Sequence, residues 1–128
     1  MKKHIFVLIT FIFLTTATTA QAALNPPVAP LIRGASGSVI LVWDDPNSTE
    51  TGYVIERRED GSTGSWVGIA DNPLPVDSKT YLDTGNSDFR LDSRKSYQYR
   101  IRAIGPNNTQ SINSEEVSGV RPITELRI

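Results

Sequence analysis

Side chains that commonly do chemistry are few in this 128-residue chain. It holds one histidine, His4, and no cysteine. The other acid–base groups are carboxylates, lysines, tyrosines and arginines. The tightest acidic pairs are Asp44-Asp45, Glu59-Asp60 and Glu115-Glu116. Two carboxylates could serve glycoside hydrolysis if they flanked one cleft at a set separation. Neighbours along a strand point to opposite faces, however, so these pairs read as solvated loop acids. A small hydrolase is therefore the weakest functional reading of this chain.

His4 belongs to a segment with its own logic. Lys2, Lys3 and His4 precede an apolar run over residues 5–14, broken only by Thr10 and followed by Ala20-Gln21-Ala22. A basic start, a short apolar centre and an Ala-x-Ala end make a secretory signal, with cleavage expected between Ala22 and Ala23. The run is too short to span a bilayer, which needs about 20 apolar residues. Removing residues 1–22 leaves 106, with neither His nor Cys, and moves the formal charge from −1 to −3 as Lys2 and Lys3 leave. The usual zinc sites, thiol nucleophiles, Ser-His-Asp triads, His- or Cys-ligated haem and disulfides are excluded from the mature chain. A charge of −3 gives no electrostatic case for nucleic acid or an anionic membrane. The expectation is a secreted protein, periplasmic or extracellular, with no membrane span after cleavage and a leader of bacterial type.

The mature residues must supply their own core. After a proline-rich lead (Pro26, Pro27, Pro30) that reads as the approach to an edge strand, short apolar runs alternate with turn clusters. Strands are expected over 38–44, 52–58, 66–70, 79–83, 96–104 and 116–121, separated by Asp-Pro, Asp-Gly, Thr-Gly and Gly-Pro signals. The clearest is 96–104, where Tyr97, Tyr99, Ile101 and Ala103 share one face and Gln98, Arg100 and Arg102 the other. No helical period is visible after Ala23. About seven strands in so short a chain predict an all-β, two-sheet sandwich or a small barrel.

The order and spacing of particular residues resemble a fibronectin type III domain over residues 26–122, with 23–25 as lead and 123–128 as tail. Pro27-Val28-Ala29-Pro30 resembles the family's opening, Leu41-x-Trp43 its second strand, and Gly52-Tyr53-x-Ile55 the start of its third. Thr80-Tyr81-x-Asp83-Thr84-Gly85 resembles the strand and turn ahead of the family's leucine, here Leu91. Leu91 stands six residues before Tyr97, the spacing of the tyrosine corner, and Tyr97-x-Tyr99-Arg100-Ile101-Arg102-Ala103 resembles the sixth strand. The resemblance implies a seven-strand immunoglobulin-like sandwich. Its core would be Leu41, Trp43, Tyr53, Ile55, Tyr81, Leu91, Tyr97, Tyr99, Ile101 and Ala103, with the Tyr97 hydroxyl donating to a nearby carbonyl. Two departures stand out: an insert, Asn86-Ser87-Asp88-Phe89-Arg90, and Ser93-Arg94 where the family commonly has Pro-Gly.

The same topology brings the 44–51 and 105–115 loops to one end, where Asp45, Glu50 and Glu115 become candidate calcium ligands. No EF-hand spacing is present, and turn and capping roles are the expectation; no metal and no cofactor is predicted. The long polar loop with Asn107, Asn108, Thr109, Gln110, Ile112 and Asn113 is the preferred contact surface, since binding residues concentrate on loops held by a rigid scaffold. Arg100, Arg102, Glu56 and Arg58 are expected to form a charged outer face, and Arg57 to snorkel out at the strand end. Trp66 is either a stacking platform for a sugar or a cover for the core edge, the latter preferred. The reading is a non-catalytic binding module for a protein or polysaccharide, monomeric, acting through loops or a sheet edge. The alternative is a spacer or assembly subunit, with the 123–128 tail adding to a partner's sheet.

Overall fold

Along Tyr97–Ile104 buried and half-buried residues alternate without exception, as a strand with one face on a core requires. The computed structural model that shows this describes residues 22–70 and 73–124. The expected signal up to Gln21 and the tail beyond Thr124 lie outside the described residues. The strands are β1 (Val28–Ala35), β2 (Ser38–Asp44), β3 (Gly52–Glu59), β4 (Val67–Gly68), β5 (Leu74–Pro75), β6 (Thr80–Asp83), β7 (Tyr97–Ile104) and β8 (Val117–Val120). One antiparallel sheet has the order β1-β2-β6, the other β4-β3-β7-β8, with β5 also on β3.

The two inner faces close on each other. Ile32, Val39, Leu41 and Trp43 from the first sheet meet Tyr53, Ile55, Tyr97, Tyr99, Ile101, Ala103 and Val120 from the second, with Ile69 between. Trp43 packs on Tyr53 with ring centroids 5.6 Å apart, tilted by 58°, a favourable arrangement for aromatic quadrupoles. Tyr81 and Leu91 are half-buried against this core rather than inside it. Leu24 packs there too, in space that Gly105 leaves free: a side-chain carbon on Gly105 would come within 2.8 Å of it.

The expected strands stand where the sequence places them, with one division. The segment 66–70 holds a two-residue strand, and Leu74–Pro75, which the sequence left between strands, is a second two-residue strand on the same edge of β3. Proline tolerates an edge because its missing donor is not needed there. Gly52 makes this contact possible, since a side-chain carbon on it would lie 2.3 Å from the Leu74 carbonyl. The first tail residue is also used inside the domain: Ile123 exchanges backbone hydrogen bonds with Ala35 (2.9 Å) and Gly37 (3.0 Å).

Three expectations about side chains are corrected. The Tyr97 ring is buried, but its hydroxyl accepts a hydrogen bond from the Asp92 N–H at 2.9 Å instead of donating to a carbonyl. Arg57 does not snorkel; it is 5% exposed and ion-paired across the sandwich to Asp83 at 2.5 Å. Its partner lies on the facing sheet, so its inward parity is satisfied by charge, not by escape to solvent. Trp66 does not cover the core edge: it lies on the outer face of the second sheet, with the guanidiniums of Arg58 and Arg100 over its ring at 4.4 and 4.3 Å.

Candidate functional site

β3 carries polar side chains into the sandwich at both of its ends. At the later end, Arg57 donates to Asp83 and to the Phe89 carbonyl and lies 5.1 Å from the Tyr97 ring centroid. Asp83 also accepts from the Tyr99 hydroxyl and the Gly85 N–H, both at 2.9 Å. The insert thus has a place: the Asn86 side chain accepts from the Phe89 and Asp88 N–H groups, and the turn presents the Phe89 carbonyl to Arg57. Gly85, at φ 71°, supplies a turn that a side chain would obstruct, because the Leu91 nitrogen is 2.8 Å from where the side-chain carbon would stand. A surface cleft of about 430 Å³ opens beside this end. Its lining mixes cations (Arg58, Arg90, Lys95) with acids (Glu59, Asp88, Asp92) and selects no single charge.

At the earlier end, Asp45 and Glu50 from the β2–β3 loop meet Asp77 from the β5–β6 turn, with one oxygen of each within 4.8 Å of the others. Glu115, the third ligand suggested by topology, is not in this group; Asp77 takes its place because β5 is pinned against Gly52. Glu50 is 5% exposed. One of its oxygens accepts from the Asp77 N–H at 3.3 Å, while the other is buried without a hydrogen-bond partner. The Tyr53 hydroxyl is buried beside them and makes no hydrogen bond of standard geometry. Burial, then the proximity of Asp45, pushes its ionisation well above the usual tyrosine range. Burial also pushes Asp45 upward, but hydrogen-bonding groups around it, Tyr53 and Asn47 foremost, outweigh this and hold it below the usual carboxylate value.

The expected binding loop is largely an edge strand in disguise. Asn107 and Asn108 adopt left-handed conformations in a 3-10 turn, the Thr109 hydroxyl binds the Pro106 carbonyl at 2.9 Å, and Gln110 bridges to Ile104. From there the chain is stitched to β7 through serine hydroxyls. Ala103 donates to the Ser111 hydroxyl (2.9 Å) and Ile101 to the Ser114 hydroxyl (3.0 Å), while the Ser111 and Ser114 N–H groups return bonds to the same two residues. Ile112, between them, is 76% exposed, and Asn113 is half-buried. Nothing in the residue order of 105–116 signals this zipper.

The outer faces of the two sheets differ in kind. On the β3–β7 face, Glu56 accepts from Arg100 at 2.6 Å and pairs with Arg102 at 2.9 Å, and Arg58 donates to Gln98 at 2.6 Å. This is the charged face expected. On the first sheet, Leu31 pairs with Val42 across β1 and β2, and Ile40 with Leu82 across β2 and β6. All four point outward and are 41–52% exposed. Alternation along 38–44 already implied that Ile40 and Val42 face away from Trp43, but the apolar neighbours on β1 and β6 needed the register.

No family model matches the chain. Among solved structures it is similar to a fourth fibronectin type III domain of a human protein, at 24% identity and a TM-score of 0.64 over 91% of this chain and 93% of that one. It is also similar to a β-1,2-glucanase from Parabacteroides distasonis (23% identity, TM-score 0.63, 82% of this chain and 14% of that one). A third likeness is to a pectate lyase from Erwinia chrysanthemi (18%, 0.59, 73% and 28%). The chain thus spans less than a third of either enzyme's length. At these identities the likeness is one of fold, and what it establishes is that the chain forms a fibronectin type III-like sandwich of two antiparallel sheets.

Proposed function

We propose that the protein is a secreted, non-catalytic interaction module that docks a partner protein on the outer face of the β1-β2-β6 sheet. The observation that carries this is the contiguous set Leu31, Val42, Ile40 and Leu82, each large, apolar and outward-facing. Contiguous apolar patches on a soluble domain mark contact sites far more often than isolated exposed side chains do. A polysaccharide partner is less well served, because the Trp66 ring is already in contact with two guanidiniums. Export rests on the leader sequence alone.

The test is crosslinking capture from the native envelope or medium, with the wild type, Ile40→Glu and Ile112→Glu compared. One dominant protein is expected with the wild type and Ile112→Glu, and lost with Ile40→Glu at unchanged melting temperature. Loss with Ile112→Glu alone would move the site to the edge beside β8. A second reading, a spacer or appendage, is favoured by the small share of the glucanase and pectate lyase chains that this fold occupies. That reading predicts no captured partner sensitive to Ile40.

A further inference from the structure

We propose that Asp45, Glu50 and Asp77 form a calcium site that ties the β2–β3 loop to the β5–β6 turn. The three acids come from two separate segments and converge within 4.8 Å. Among the described residues no lysine or arginine pairs with any of them. Clustering of acids alone would say little, since exposed carboxylates repel weakly in water. Here, however, Glu50 is 95% buried by its 5% exposure, and its second oxygen has no partner. The Tyr53 hydroxyl, fully buried and facing Asp45 without a hydrogen bond of standard geometry, sits in the field of all three carboxylates. A buried charge without a partner is costly, and a cation at the focus of these oxygens removes that cost.

An all-oxygen set carried on two loops suits calcium, which takes six to eight oxygens in flexible geometry, better than magnesium, which demands a near-ideal octahedron. Three carboxylates, bidentate where the geometry allows, leave the remaining positions to water. The competing reading is an empty acidic cluster held by its loop turns alone. The site lies at one end of the sandwich and is independent of the apolar face proposed for protein docking.

Thermal melts of the purified chain decide between them, in EDTA and in CaCl2 up to about 10 mM at constant ionic strength; extracellular modules bind calcium at about 10⁻⁴–10⁻³ M. Calcium at about ten times its Kd is expected to raise Tm by about 5–10 °C. Asp77→Asn and Glu50→Gln should each lose that rise. In EDTA each should melt at or above the wild-type temperature, because each removes one of three like charges. Terbium excited through Tyr53 and the adjacent Trp43 gives a second readout, with emission that calcium displaces. The site is overturned by a Tm indifferent to calcium, by a rise that survives Asp77→Asn, or by an equal rise in MgCl2.

Discussion

Tyr53 and Arg57 stand four residues apart on the inward face of β3, and their surroundings could hardly differ more. Around Arg57 every strong group is matched: the guanidinium by Asp83 and the Phe89 carbonyl, Asp83 in turn by Tyr99 and Gly85. Around Tyr53 three carboxylates meet with a phenol, and a Glu50 carboxylate oxygen is left buried without a partner. One strand therefore ends in a completed ion pair and begins beside an uncompensated cluster of carboxylates. A buried polar network is stabilising only when each member is satisfied. The contrast locates where the fold is self-sufficient and where it is open to something from outside.

The sharpest way to break the contrast is to unbalance the completed end. Asp83→Ala leaves Arg57 buried without its partner and should destabilise the domain by about 3–5 kcal/mol in urea melts. Replacing both partners with apolar residues of similar size, Arg57→Met with Asp83→Leu, should recover most of that loss if the penalty is the orphaned charge. A smaller effect is expected one step further out, at the turn this network anchors. Tyr97→Phe removes the acceptor for the Asp92 N–H and should cost about 0.5–1.5 kcal/mol, because that N–H is half-buried and can partly turn to water. No change in stability would mean that the hydroxyl does not hold the 92–96 turn.

The smallest of these effects concerns the outer charged face, where titration supplies the readout. Burial works against ionised Glu56, but Arg102 and Arg100 outweigh it and hold its carboxyl below the ordinary glutamate value of 4.5. A folded pKa below the unfolded one stabilises above the unfolded value, and the contribution fades as pH falls through the folded value. Glu56→Gln should therefore cost about 0.5 kcal/mol at pH 7, with the difference from wild type shrinking as melts are taken down towards pH 3. A difference independent of pH would assign the effect to packing instead of charge.

Much of the fold was legible because alternation is a local property. The 96–104 and 52–58 segments display their inward and outward sets residue by residue, and Leu41, Trp43, Tyr53, Ile55, Tyr99, Ile101 and Ala103 are buried as read. What escaped were long-range pairings. Parity turned Arg57 inward, but its partner Asp83 is 26 residues away on the facing sheet, and no spacing rule connects them. Asp77 joins Asp45 and Glu50 only because Gly52 lets β5 lie close, a steric permission invisible without coordinates. The 105–116 loop reads as a long polar contact surface, yet Ser111 and Ser114 are buried, with hydroxyls that stand in for backbone acceptors. Serine is common in loops for other reasons, so its presence there carried no such message.

The difference between the two ends of β3 is open to one direct measurement, a calcium titration followed through assigned backbone amide resonances of the labelled protein. Saturable shifts are expected in the loop holding Asp45 and Glu50, at Tyr53, and in the turn around Asp77, with amides at Arg57, Asp83, Phe89 and Tyr99 unmoved. No saturable shift, or shifts as large at the Arg57 end as at the Tyr53 end, would contradict the assignment of one closed and one open pole.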